Sequence, residues 1–360
     1  QAPAKAPARQ TPPRAKAPAN TPAAAARTGP LQVKADAARE AGDLETAVGL
    51  YQKVVAQAPR NVEAWWYLGT TLYDLEKWAD ARRAFDRVVR MDARNGAATA
   101  FRGLCTFKLG EYADALVDLL QAKALGVSGN AEIGSVARFH AGLAMTRLGQ
   151  FEVALNTLGE FALEGNDSPQ IIEALGIATL RLPLLPSEVP PEKREMVLMA
   201  GRGSYFMAMR LAPAARTAFE ELTLRFPEAP HVHYAFAVFL LTDDPDRAIR
   251  EFERELTIQP GHATSHVQIA GEYLKRGDAA KARPHAEKAI ALAPTHVSHY
   301  QLTLEPNTVF AARPPKGLPD DDIAWDMQEA CQAALADAGY GHYETSAYAR
   351  PGHRCEHNLN

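Results

Sequence analysis

Eleven histidines and three cysteines are the residues of this 360-residue chain best suited to metal binding or nucleophilic chemistry. His262 and His266 lie four apart, a spacing that puts two imidazoles on one face of a helix, as a metal pair requires. Yet His262 follows Pro260-Gly261 and so falls ahead of the helix, and no carboxylate or cysteine joins the pair at ligand spacing. His231 and His233 add two more imidazoles without such partners. Cys105, Cys331 and Cys355 are too few and too scattered for a disulfide framework, and cannot form a CxxxCxxC iron–sulfur motif. His353, Cys355 and His357 alternate as ligands can, but nothing nearby completes a set. The chemistry expected of the chain is therefore non-catalytic, with no metal and no cofactor.

Recognition by aromatic side chains is the alternative. Trp66 and Tyr73 are seven residues apart, two turns along one helical face, with Thr70 between them. Large aromatics presented this way are frequent interface anchors. Bulk composition sets the limits: 47% hydrophobic, 23% charged, a formal net charge of −4. That balance gives no bulk attraction for nucleic acid or anionic membrane. No apolar run approaches the roughly 20 residues that cross a bilayer.

The elements that would carry these side chains recur. An Ala followed four residues later by a large apolar residue appears as Ala47/Tyr51, Ala81/Phe85, Ala115/Leu119, Ala154/Leu158, Ala215/Phe219 and Ala248/Phe252, then as Ala282/Ala286. Pro59, Pro227, Pro260 and Pro294 close four of these units. Ahead of each lies a second helical signal, clearest in Trp65, Leu68 and Gly69, with Gly103, Gly142 and Gly203 in the place of Gly69. Apolar residues at i, i+3, i+4 and i+7 form one stripe, and a small residue lets two helices approach closely. A proline ends the second helix because it cannot extend the hydrogen-bond ladder. One hairpin cannot bury its own apolar face, so such hairpins must stack.

This pattern resembles the tetratricopeptide (TPR) repeat over about 31–294. The resemblance implies an all-α fold, a right-handed superhelix of about seven helical hairpins, followed here by a short C-terminal β-α-β fragment. In TPR proteins the concave face is lined mainly by the first helix of each hairpin and commonly holds a peptide. Carried onto this chain, the groove positions are Glu63, Trp66, Thr70, Tyr73 and Asp74, then Ala100, Phe101 and Leu104, while Trp65 fills the core. Some TPR domains clamp a terminal carboxylate with Lys, Asn and Arg. The matching places here hold Gln32, Asp36, Tyr67, Ala97 and Phe101, so that clamp is absent and an apolar or amphipathic peptide is the expected ligand.

After Pro294 the character changes. VSHYQLTLEP alternates like a strand, LPDDDIAWDMQEACQAALADAGY reads as a helix with acids in its first turn, and HYETSAYARPG returns as strand and loop. The wording of His299–Phe310, of LPDDD at 318–322 and of 343–360 closely resembles the HemW family, radical-SAM heme chaperones related to oxygen-independent coproporphyrinogen III oxidase. The resemblance implies part of that family's β/α barrel, without the upstream cluster cysteines and SAM-binding strands.

The expected organisation is a disordered linker over 1–30, a first TPR block over 31–165, an irregular helix and proline-rich loop over 166–197, a second block over 198–295 and the HemW-like segment over 296–360. The linker reading rests on seven prolines, eleven alanines, five basic residues and no acid in residues 1–30. Within 166–197, Ile171–Leu180 reads as a helix without a partner, and the loop after it as a hinge or binding loop. The spacer-like start at Gln1 favours export, and a native HemW-like tail would favour the cytoplasm. The leading expectation for function is a scaffold that binds protein or peptide segments in its concave groove. The alternative is a heme-handling, catalytically inactive HemW-like protein carrying TPR repeats.

Overall fold

Asp43, Asn61 and Asn95 each begin a helix in the same way: the side-chain oxygen accepts a hydrogen bond from the backbone N–H three residues on. In the computed structural model, which describes residues 22–127, 131–298, 320–344 and 347–354, these caps recur at repeat spacing. They start α2 (Leu44–Gln57), α3 (Val62–Asp74) and α5 (Gly96–Lys108), after α1 (Pro22–Glu40) and around α4 (Trp78–Met91). The chain continues as α6 (Tyr112–Leu125), α7 (Ala131–Arg147), α8 (Phe151–Leu163), α9 (Pro169–Thr179), α10 (Pro191–Ala208) and α11 (Ala212–Arg225). Helix α1 begins at Pro22, inside the segment expected to be a linker; residues 1–21 lie outside the described residues.

The hairpins are closed by the small residues the spacing singled out. A Cβ on Gly69 would stand 2.9 Å from the Phe85 ring, one on Gly142 2.6 Å from Leu158, and one on Gly203 2.8 Å from Phe219. Each glycine therefore sets how near its helix lies to the partner helix. Gly110 and Gly149 turn the chain between helices at φ +82° and +77°. Glu76 and Arg210 hold the equivalent turns in the same left-handed region without being glycine.

Two compact units divide between Arg225 and Phe226. The first holds hairpins α1–α2, α3–α4, α5–α6, α7–α8 and α10–α11, with α9 between the last two. The hairpin α10–α11 thus goes with the first unit, whereas the sequence pattern grouped it with the repeats after residue 198. Nor does α9 lack a partner. It packs backbone to backbone on α10 through Gly176 and Gly201, and Thr179 Oγ1 lies 2.6 Å from Ser204 Oγ. The proline-rich loop between them is pinned: Arg147 donates to the Pro183 carbonyl at 2.6 Å and pairs with Glu188 at 3.1 Å.

The second unit contains α12 (Val232–Leu240), α13 (Pro245–Ile258), α14 (Ala263–Lys275) and α15 (Ala279–Ala291), two further hairpins that bring the total among the described residues to the expected seven. Next come β1 (His296–Ser298), α16 (Asp321–Asp337), β2 (Gly341–Glu344) and β3 (Ala347–Ala349). The strands form one antiparallel sheet in the order β1-β3-β2. The sequence reading has HYETSAYARPG, residues 342–352, return as strand and loop. The structure makes two strands, joined by two residues, and so short a connection can link only antiparallel neighbours. Leu335, Tyr340 and Tyr348 give this segment a small core of its own, and the Tyr340 hydroxyl donates to the Pro294 carbonyl at 2.6 Å. Residues 299–306 of the VSHYQLTLEP run expected as a strand lie outside the described residues.

Candidate functional site

Helix α3 carries most of the expected groove, and its rotation decides what that groove can be. Trp66 is fully buried, edge-on to Phe85 at 5.8 Å and to Phe101 at 5.5 Å. Tyr73 is buried against Trp78 and Phe101, and burial pushes its hydroxyl pKa well up. Phe101 and Leu104 are buried as well. With Ala100, which is also buried, five of the eight expected groove positions are therefore core residues. Adjacent helical positions point about 100° apart, and Trp66 is the one that faces Phe85 of its hairpin and Phe101 of the next. Trp65, expected to fill the core, packs against it but is only partly buried. Of the rest, Glu63 accepts from Gln32 at 3.0 Å, Thr70 bonds back to the Tyr67 carbonyl at 3.2 Å, and Asp74 is exposed.

The positions compared with a carboxylate clamp are engaged internally. Gln32 bonds both Glu63 and Asn61, while the Tyr51 hydroxyl donates to Asp36 at 2.5 Å and accepts from Arg39 at 3.1 Å. The Arg39 guanidinium also lies 4.4 Å over the Tyr67 ring. This network locks the first two hairpins together.

Where Trp65 emerges there is a groove of about 650 Å³ between α2 and α4. Val55, Leu68 and Leu72 floor it, and the Trp65 indole stands in its wall with Nε1 donating to the Pro59 carbonyl at 2.9 Å. Asp80, Arg83 and Arg87 form the rim. Arg83 is paired with Asp80, whereas Arg87 has no ion-pair partner among the described residues. An apolar floor, a fixed indole and an available guanidinium suit an apolar anchor with a flanking acidic group. Sequence reasoning missed this site. Arg83 and Arg87 at i, i+4 on the helix that follows the Trp65 helix after a three-residue turn were the available signal.

The histidines do not converge on a metal. His262 bonds Ser265 at 2.7 Å just ahead of α14, as its Pro-Gly context implied. His266 faces His285, and His233 bonds Glu251 at 2.6 Å. Among the described residues, no group of three His, Cys, Asp or Glu side chains is placed to hold a metal ion. Cys105 is buried and its thiol is pushed well above its ordinary pKa by that burial, which makes it inert. Cys355 and His357 lie outside the described residues. His140, which no sequence motif marked, is buried with its ring edge-on to Phe107 and Phe139 and Nδ1–H on the Val136 carbonyl at 2.8 Å.

A family model described as tetratricopeptide repeat matches residues 33–76, 68–125 and 201–263. Over those residues the chain carries TPR repeats. Its C-terminal segment is similar to the heme chaperone HemW: 60% identical over 73 residues to that of Escherichia coli (strain K12), which takes in 20% of this chain and 19% of the relative. The Haemophilus influenzae HemW is 62% identical over a segment of the same length. The chain spans about a fifth of the length of these curated relatives. Among solved structures, a tetratricopeptide repeat protein from Parabacteroides merdae ATCC 43184 aligns at 16% identity and a TM-score of 0.37, covering 74% of this chain and 93% of that one. A crystal structure of MamA aligns at 18% identity and a TM-score of 0.30, covering 72% and 93%.

Proposed function

We propose that the chain is a non-catalytic protein-interaction scaffold whose first unit holds a short peptide segment in the Trp65 groove. The observation that carries this reading is the partly buried Trp65 over an apolar floor, with Arg87 at the rim without an ion-pair partner among the described residues. Helical repeats supply a rigid frame, so a peptide anchor meets a preformed surface and ordering costs are small. The ligand is an extended or helical segment with a large apolar side chain and an adjacent acid. Peptide display against the full chain tests it. Selected peptides should share that apolar–acidic pairing and lose at least tenfold in affinity on Trp65→Ala or Arg87→Glu. Peptides that bind both variants as well as the parent would place the site elsewhere.

The HemW-like segment favours a second reading, heme handling without radical chemistry, since the three cysteines of this chain cannot form a CxxxCxxC cluster site. A heme titration followed by absorbance decides it, and a flat titration removes it.

A further inference from the structure

The hairpin α14–α15 is closed across two imidazoles. His266 Nδ1 and His285 Nδ1 lie 3.0 Å apart, with ring centroids at 5.2 Å and planes tilted by 49°. His266 is 4% exposed and His285 half-buried. Two ring nitrogens at this distance require one hydrogen between them, neither none nor two. In the neutral pair one Nδ1–H donates and the other Nδ1 accepts. The Pro260 carbonyl acts on His266 against burial, favouring its charged form.

We propose that the His266–His285 pair is an acid-released latch: adding a second proton breaks the contact and loosens the α14–α15 hairpin. With both rings charged, two cations would stand 3.0 Å apart in a partly buried site. The groups around the pair do not offset this. Lys288 of α15 bears on both rings and adds a third positive charge. Glu253 of α13 opposes it at His285 only, and Tyr273 of α14 contributes a neutral ring 6.5 Å from His285. Burial first, then the mutual repulsion of the rings and Lys288, hold His266 below the usual histidine pKa; burial and Lys288 do the same to His285. Groups depressed in the folded state stabilise it above their unfolded pKa, near 6.5, and lose that contribution as pH falls through the folded values.

Hydrogen exchange on the full chain in metal-free buffer, corrected for intrinsic rates, tests the latch. Between pH 7.5 and 5.5, protection in 263–291 should fall, by up to about tenfold for each histidine that must stay neutral. Helices α3 and α4, which hold no histidine, should show no such loss. His285→Gln keeps a hydrogen-bond partner for His266 and removes one titrating ring, so it should remove one of these two losses. Histidine side-chain NMR on the parent chain gives a readout independent of any variant: both rings should titrate below the free value in coupled steps. Unchanged protection in 263–291 at pH 5.5 would overturn the latch, as would two independent titrations at the free-histidine value.

Discussion

Gly176 of α9 and Gly201 of α10 meet backbone to backbone: a Cβ on Gly176 would overlap the Val197 carbonyl, and one on Gly201 the Ile172 carbonyl. No side chain can move aside there, so the cost falls on the helix crossing itself. Gly176→Ala and Gly201→Ala are each expected to destabilise the first unit by about 3 kcal/mol or more. Gly49→Ala, with nothing within 4 Å of its Cβ, is the control and should be neutral or stabilising by up to ~1 kcal/mol. Urea unfolding of the three variants separates the two outcomes.

Trp65 and Trp66 should divide stability from binding. Trp66→Ala empties the space between Phe85 and Phe101 and is expected to cost about 3–5 kcal/mol. Trp65→Ala should cost far less in unfolding yet abolish peptide capture at the α2–α4 groove. Equal stability losses from the two changes would contradict the observed rotation of α3.

Glu255 is fully buried, and its carboxylate accepts from the backbone N–H of His231 at 2.8 Å and of Tyr234 at 3.1 Å, and from Gln259 Nε2 at 2.6 Å. It satisfies the free donors at the start of α12 from the adjacent helix α13. Glu255→Ala leaves them unpaired and should cost about 2–4 kcal/mol, with Glu255→Gln intermediate because an amide presents only one acceptor. Chemical denaturation of the second unit, followed by exchange in 232–258, measures both.

Acid and base should act on different hairpins. Burial pushes the pKa of His140 down to about 4, despite the Val136 carbonyl, so its neutral form is worth roughly 3 kcal/mol above pH 6.5. That contribution is lost as pH falls from 6.5 toward 4. His233 runs the other way. Burial alone would lower it, but Glu251, the Pro227 carbonyl and the charge of Glu255 outweigh burial and raise its pKa. Its contribution is complete below the unfolded value and fades as pH rises through the folded one. Thermal melts from pH 4 to 8 should show His140→Phe flattening the acid limb, with His233→Gln acting only on the neutral one.

Much of this was legible in the residue order. The 34-residue return of Ala81 and Ala115, the glycine places at 69, 103, 142 and 203 and the prolines after the second helices are local requirements of helix, turn and close packing. Such requirements are written where they act, so seven hairpins and the change of character after Pro294 follow from the chain itself.

What lay beyond it depends on distant neighbours. Either of two adjacent tryptophans satisfies an amphipathic pattern, and only Phe101, from the following hairpin, makes Trp66 the buried one. The partner of α9 sits across a proline-rich loop, and its fit rests on two glycines 25 residues apart that share no motif. Glu255 and His285 read as ordinary surface residues of helices until another helix is laid over them. The sequence by itself determined the elements and which stripe each would bury. The tertiary structure alone decided which side chains were left to meet a partner, because that depends on helix rotation and on contacts that local periodicity does not encode.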